Sequence, residues 1–127
     1  MALSKTDSLR RTVLDAAVAI SAANGPDAIS MREVARKAGV SHQAPYHHFI
    51  DRSGIFAAIC EEGFRQLSDA LLAPRPSIDS NMCESYVHFA LQNPGHFRVM
   101  MRNDLCQLAN YPSARIEADR AFDILVD

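Results

Sequence analysis

The chain has 127 residues, of which 48% are hydrophobic and 22% charged, a composition that is typical of a globular protein and excludes a disordered one. This length suffices for one ordinary domain, or for a small domain with part of a second. The net charge is −2, with seven basic and five acidic side chains in residues 1–56 against six basic and ten acidic in residues 57–127, which fits a phosphate-facing N-terminal part on an acidic body.

Signals that would place the chain in or across a membrane are not expected. No apolar run approaches the length of a membrane-spanning helix, and no apolar region follows the basic N-terminal residues as it does in a secretory signal. Three widely spaced cysteines, Cys60, Cys83 and Cys106, predict reduced thiols rather than a disulfide framework. We therefore expect a cytoplasmic protein without membrane contact.

The N-terminal third predicts two helices. Apolar residues at three- and four-residue spacing indicate a first helix over residues 8–23, and Asn24-Gly25-Pro26 ends it. A second helix begins at Ser30, which forms a capping box with Glu33. Gly39 ends that helix after about two turns, because glycine readily adopts the left-handed conformation of a tight turn.

The middle of the chain predicts a short helix followed by a long one. Ser41 is the predicted N-cap of a third helix over residues 42–49. Asp51 is the predicted N-cap of a fourth helix that reaches Ala73, and the prolines of residues 73–77 then predict a linker or sharp corner.

The C-terminal part also predicts helices. A fifth is expected over residues 79–92, a sixth from Pro94 to Asn103, and a seventh from Pro112 onward. Because no run of alternating β-branched residues is present, the predicted fold class is all-α.

Residues 30–49 form the pattern that carries function. Two short helices joined by a glycine-containing turn, with a packing helix before them, are typical of a helix-turn-helix, whose second helix enters the major groove of DNA. The predicted outward face of that second helix is polar or small. It comprises His42, Gln43, Ala44, Tyr46, His47 and His48.

The segments Ser30–Ala35, Ala38–Ser41 and Tyr46–Phe49 resemble the DNA-binding domain of the tetracycline-repressor (TetR) family, and the resemblance covers about residues 10–60. Residues 93–101 are similar, less specifically, to the start of the regulatory domain in one subgroup of that family. Such a protein is expected to be a sequence-specific transcriptional regulator, a repressor released by a ligand.

The resemblance implies a role for each matching residue. Ser30 and Arg32 would contact phosphate or a nearby base edge. His42, Gln43 and Ala44 would face bases, and Tyr46 and His48 would contact phosphates. Arg52 would add a phosphate contact at the start of the fourth helix. The full set of expected DNA-binding residues is Ser30, Arg32, Ser41, His42, Gln43, Ala44, Tyr46, His47, His48 and Arg52.

Pro45 departs from the family pattern, in which a helix former is common at this position. Proline lacks the N–H group and disfavours helical geometry at the preceding residue. We therefore expect the regular helix to start near Ala44, which weakens the base-reading roles of His42 and Gln43 and affects Tyr46 and His48 less. Gly54 is similarly unusual in the first turn of the fourth helix.

The predicted architecture is a DNA-binding domain over residues 1–50, a connecting helix over 51–73, and the N-terminal part of a ligand-binding and dimerisation domain over 77–127. The chain stops within the predicted seventh helix, so we expect either a fragment or an unusually short protein whose ligand pocket is incomplete. Expected partners are double-stranded DNA with two-fold symmetry, an unidentified small-molecule effector and, in the full-length protein, a second copy. The candidate ligand-facing residues, which could equally be core, are Tyr86, Phe89, Phe97, Met100 and Met101.

Other function classes are less well supported by the sequence. The chain presents no constellation of acid, base and nucleophile, so no enzyme is predicted, and no cofactor is implied. His47 and His48 point about 100° apart on a helix, which disfavours a metal site. A helix-turn-helix protein of another kind and a helical protein-interaction module without inducer control stay as alternatives.

Overall fold

The structure is a computed structural model that describes residues 5–74 and 81–126. All regular elements in these two segments are helical, which confirms the all-α prediction. The α-helices are α1 (Lys5–Asn24), α2 (Met31–Ala38), α3 (Arg52–Leu72), α4 (Met82–Gln92), α5 (Pro94–Met100) and α6 (Pro112–Val126). Single 3₁₀ turns occupy Pro26–Ala28, Ala44–His47 and Leu108–Asn110.

Side-chain caps fix where three of the α-helices begin. The Ser30 hydroxyl accepts the Glu33 N–H at 3.0 Å, and the Asp51 carboxylate accepts the Gly54 N–H at 3.1 Å. Asn81 caps α4 in the same way. Each bond satisfies one of the N–H groups that the first turn of a helix leaves without an intrahelical partner. The predicted caps at Ser30 and Asp51 are therefore confirmed.

Two clusters of buried apolar side chains hold the helices together. The first joins α1, α2 and α3 to Val99 of α5, with Leu14, Ile55 and Phe56 among its fully buried side chains. The second lies at the other end of α3, where Leu67 and Leu71 meet α4, α5 and Ala121 of α6. Because α3 and α5 contribute to both clusters, the core continues across residue 50, where the sequence predicts a domain boundary.

Helix α5 is docked closely against the C-terminal half of α1. A Cβ atom at Gly95 would lie 2.4 Å from the Val18 carbonyl oxygen, so only glycine allows this approach. The Ser21 hydroxyl donates to the Gly95 carbonyl at 2.8 Å, and the Arg98 guanidinium donates to the carbonyls of Ser21 and Ala22.

The predicted helix positions agree closely with the structure except in the third helix. The predicted α-helix over residues 42–49 is wrong, since this segment forms only the 3₁₀ turn Ala44–His47, and Ser41 is not its N-cap. The fifth helix begins at Met82, and the sixth ends at Met100 rather than Asn103. The predicted linker and the first two residues of the predicted fifth helix fall largely outside the described residues.

Candidate nucleic-acid interface

Helix α2 is a short, firmly bounded element that presents charged side chains to solvent. Arg32 is exposed near its start and Lys37 near its end. The Glu33 carboxylate accepts the Arg36 guanidinium at 2.9 Å, and this hydrogen bond holds the pKa of Glu33 below its usual range. Glu33 thus pairs along the helix, whereas the predicted capping box has it reach back to Ser30.

The turn after α2 depends on Gly39. This residue has φ = 71°, ψ = 32°, in the left-handed region that glycine tolerates best. The Val40 N–H then bonds to the Ala35 carbonyl at 3.1 Å, which satisfies a carbonyl of the last helical turn. The turn redirects the chain into the segment that would enter the DNA groove, as the helix-turn-helix pattern predicts.

Pro45 explains why that segment is a 3₁₀ turn. Tyr46 N–H bonds to the Gln43 carbonyl at 3.1 Å and His48 N–H to the Pro45 carbonyl at 3.1 Å, which are three-residue spacings. Pro45 has no N–H to offer, and its ring is fully buried together with the Ala44 side chain. These two residues anchor the turn to the body of the protein.

The anchoring decides which side chains face solvent. Ser41, His42, Gln43, Tyr46 and His47 are exposed, with 51% of the Tyr46 surface accessible. Gln43 and Tyr46 lie three residues apart and so share one edge of the turn. The predicted base contact of Ala44 is not supported, because its side chain is 7% exposed and packs inward.

His48 and Phe49 tie the exposed segment to the core. Phe49 is buried, with the His48 ring edge-on at 6.4 Å and the Arg10 guanidinium 5.4 Å above its ring. His48 Nε2 is buried without a hydrogen-bond partner. A cavity of about 380 Å³ adjoins this point, between Arg10, the start of α3 and the turn before α6.

Arg52 is half-buried and points toward the turn that precedes α2. Its guanidinium donates to the carbonyls of Ile29, Pro26 and Asp27 and lies 4.7 Å from the centre of the Phe56 ring. This arrangement links the start of α3 to the start of α2. The predicted contact between Arg52 and a DNA phosphate stays a prediction. The guanidinium that donates to these carbonyls would also have to make that contact.

Three polar contacts that sequence reasoning missed connect distant parts of the chain. Glu62 of α3 accepts the Arg11 guanidinium of α1 and lies 2.8 Å from His96 Nε2 of α5. The hydrogen bonds from His96 and then Arg11 hold the pKa of Glu62 at about 2. Arg102, after α5, bonds to Asp27 before α2. Sequence spacing gives no sign of these pairs, whose members lie 34 to 75 residues apart.

Cys60, Cys83 and Cys106 are free cysteines, and of these Cys60 is buried and Cys83 exposed. Cys60 and Cys106 contact each other, and burial raises the pKa of the Cys60 thiol to about 12. A thiol with so high a pKa is a poor nucleophile at neutral pH. In the described segments no group of three or more His, Cys, Asp or Glu side chains could hold a metal ion.

The candidate ligand-facing residues lie in or near the second core cluster. Phe89 and Met100 are buried there, and Tyr86 packs edge-on against Phe97 with ring centres 5.9 Å apart. Met101 is half exposed. Ligand contact stays a prediction for all five.

Among the residues that are described, no helix has the length and apolar character needed to cross a membrane.

Comparison with known proteins finds a family similar to the N-terminal region. Residues 13–59 match the family described as bacterial regulatory proteins, tetR family. A TetR family transcription regulator from Marinobacter aquaeolei VT8, solved at 1.90 Å resolution, superimposes with a TM-score of 0.68 at 22% identity and shows the same fold. A protein with unknown function from Rhodococcus sp. RHA1 gives 0.69 at 28% identity. No curated protein matches the chain.

These superpositions cover nearly all of this chain but a smaller share of its neighbours. They include 94% and 91% of the chain, against 65% and 63% of the Marinobacter and Rhodococcus structures. The chain thus spans slightly less than two thirds of each.

Proposed function

We propose that the protein is a transcriptional regulator that binds double-stranded DNA through residues 30–48, on the premise that residues 13–59 match the family of bacterial regulatory proteins described as the tetR family. The observation that carries the proposal is the exposed polar edge of the 3₁₀ turn, formed by Gln43 and Tyr46 with His42 and His47 beside it. These side chains stand clear of a turn whose Ala44 and Pro45 are anchored in the core.

The chemistry of this edge suits both parts of DNA recognition. Phosphate contacts position a protein on the duplex, and base contacts select the sequence. The side-chain amide of Gln43 can both donate a hydrogen bond to adenine and accept one from it. A histidine ring can donate to acceptor atoms on the bases. Tyr46 and Arg32, which are both exposed, can donate to phosphate oxygens. A single 3₁₀ turn is narrow enough for the major groove, which is about 12 Å wide.

We further propose that the whole protein is a ligand-released repressor that acts as a homodimer on two-fold DNA. Two copies must hold their reading turns about 34 Å apart, or a multiple of it, to dock together. The contacts between α5 and the DNA-binding elements support this idea. Arg98 and Gly95 bind the end of α1, and Arg102 binds Asp27 just before α2. A ligand that moved α5 would move α1 and α2 with it.

The first test measures binding of the purified protein to the DNA upstream of its own gene. Binding is monitored by fluorescence anisotropy over a series of salt concentrations. The matched variants are Tyr46→Ala and Phe122→Ala, which each remove an exposed aromatic ring, one from the proposed interface and one from α6. Loss of one hydrogen bond to a charged phosphate, worth about 1.5–3 kcal/mol, should weaken binding about 10- to 150-fold.

Tight binding with a steep negative salt slope, weakened by Tyr46→Ala and unchanged by Phe122→Ala, supports the proposal. Equal effects of the two variants, or affinity that does not depend on salt, would contradict it. Suppose that a ligand binds the second core cluster and leaves both DNA affinity and dimer geometry unchanged. That result would contradict the proposed release of the repressor by a ligand, but not the proposed DNA binding.

A further inference from the structure

The cavity beside Phe49 lies between the end of the proposed DNA-binding segment and the start of α6. Its volume is about 380 Å³, and its walls come from residues 48–51, the N-terminal half of α3, residues 110–114 and Arg10 of α1. A cavity of about 150 Å³ is large enough to hold benzene. Sites for small molecules occupy about 300–1,000 Å³. The cavity is therefore large enough for a ligand with two fused rings and a polar substituent.

Most of the cavity surface that could contact the body of a ligand is apolar. Phe49, Ala57, Ala58 and Ala114 are buried residues of the wall. Ile50 also lines the cavity and is 91% exposed, so the cavity is open to solvent at this residue. An apolar wall with a small number of polar groups is typical of sites that bind small organic molecules.

Arg10 is the basic side chain of the cavity wall. Its guanidinium lies 5.4 Å from the centre of the Phe49 ring. None of the ion pairs between described residues includes Arg10. A guanidinium is a planar set of donors whose geometry matches that of a carboxylate. Arg10 is thus available to an anionic group of a ligand.

His48 places a second polar group at the same ring. It lines the cavity, and its ring centre lies 6.4 Å from that of Phe49. The Nε2 atom of His48 is buried and has no hydrogen-bond partner among the described residues. Buried polar atoms in native proteins nearly always have a partner, so this atom requires an explanation. An oxygen atom of a bound ligand would supply the partner.

The two carboxylates of the wall limit the charge that a ligand can carry. The Asp51 carboxylate accepts the Gly54 N–H at 3.1 Å, and the Glu61 carboxylate lies 3.6 Å from the Arg65 guanidinium. Both acids therefore have partners of their own. Their negative charge would repel a dianion more strongly than a monoanion. The cavity consequently favours a ligand with a single negative charge over a phosphate group.

We propose that this cavity binds a small aromatic carboxylic acid, with its carboxylate between Arg10 and His48 and its ring system against Phe49 and the alanines of α3 and α6. The site is separate from the second core cluster, to which the candidate ligand-facing residues belong. The inference goes beyond the proposed function, because binding of the acid can be measured without DNA.

The experiment titrates the isotope-labelled full chain with 2-naphthoate at neutral pH and follows the backbone amide resonances. The matched ligand is 2-naphthamide, which has nearly the same shape but no charge, and inorganic phosphate is the second anion. The test variant is Arg10→Gln, which removes the charge and keeps a donor. The matched control is Arg36→Gln, an exposed arginine on α2. Circular dichroism shows whether both variants are folded.

We expect 2-naphthoate to bind the unaltered chain with a dissociation constant of about 1 mM or below, the range of a small ligand in a preformed pocket. The largest shifts should fall on residues 48–58 and 110–114. The amide and phosphate should bind at least about tenfold more weakly, because each lacks part of the match to the site. Arg10→Gln should weaken binding of 2-naphthoate by a similar factor, and Arg36→Gln should not change it.

Four results would overturn the inference. They are the absence of shifts at about 10 mM 2-naphthoate, shifts centred on the second core cluster instead, equal affinity for the acid and the amide, and unchanged affinity in Arg10→Gln. The comparison of acid with amide uses the unaltered chain, so it decides the matter even if the variant does not fold. None of these results bears on DNA binding, which the anisotropy experiment tests separately.

Discussion

Substitution of Gly95 by alanine tests the packing of α5 on α1. Helix propensity alone predicts that Gly95→Ala stabilises the protein by up to about 1 kcal/mol, since the residue lies in the first turn of α5. The structure predicts the opposite sign. The new Cβ would lie 2.4 Å from the carbonyl oxygen and 2.8 Å from the Cγ1 atom of Val18. Carbon–oxygen contacts normally begin near about 3.3 Å, so α5 would have to move away by about 1 Å.

The cost follows from what that displacement breaks. Overpacking of a close interface costs about 1–3 kcal/mol, and loss of the buried bond from Ser21 to the Gly95 carbonyl costs about 1 kcal/mol more. After the gain in propensity of up to about 1 kcal/mol is subtracted, the free energy of unfolding should fall by about 1–3 kcal/mol. Urea denaturation followed by circular dichroism measures this change.

Gly54→Ala is the matched control. Gly54 also lies in the first turn of a helix, but a Cβ there would meet its nearest neighbour, the Phe49 Cβ, at 3.8 Å, an ordinary contact. This variant should be neutral or more stable by up to about 1 kcal/mol. If Gly95→Ala proved as stable as Gly54→Ala, the close approach of α5 to α1 would be wrong, and with it the route from α5 to the DNA-binding elements.

Other contacts give predictions of the same kind. Ser30→Ala removes the cap of α2 and should lower the free energy of unfolding by about 1 kcal/mol in urea titration, and no change would mean that the cap is not formed. Arg52→Gln loses three carbonyl contacts and the stack on Phe56, so it should lower the free energy of unfolding by about 1–3 kcal/mol. An unchanged midpoint of the urea transition would indicate that Arg52 points to solvent instead. The pKa of Glu62 is lowered in the folded protein, so its contribution to stability is present above about pH 4.5 and lost as the pH falls toward about 2. Glu62→Gln should therefore flatten the dependence of stability on pH over that acidic range, and an unaltered dependence would exclude the predicted role of Glu62.

Local signals in the sequence predicted most of the fold. The caps at Ser30 and Asp51 and the left-handed Gly39 each act within three or four residues, so their physics is visible without a structure. The ends of α2 and α3 agree closely with the structure for that reason. Pro45 was also recognised as unfavourable to the third helix, but the sequence could not show that the whole helix would shorten to one 3₁₀ turn.

The remaining features depend on contacts between distant parts of the chain. The resemblance to the TetR family implies that Ala44 faces DNA, but the 3₁₀ geometry buries its side chain instead. Arg52 was expected to reach outward, but three carbonyls before α2 attract its donors. The cluster of Arg11, Glu62 and His96 joins three helices and has no local pattern at all. Tertiary packing, which local patterns do not encode, determines each of these positions.

The central claim is that residues 30–48 form a DNA-binding face. Its most direct test is a titration of isotope-labelled protein with duplex DNA, followed through the backbone amide resonances. The account predicts that the largest shifts fall on residues 30–48, with Gln43 and Tyr46 among them, and that α4 and the exposed side of α6 change little. Shifts confined to α4 and α6, or no shifts when DNA is in excess, would contradict it.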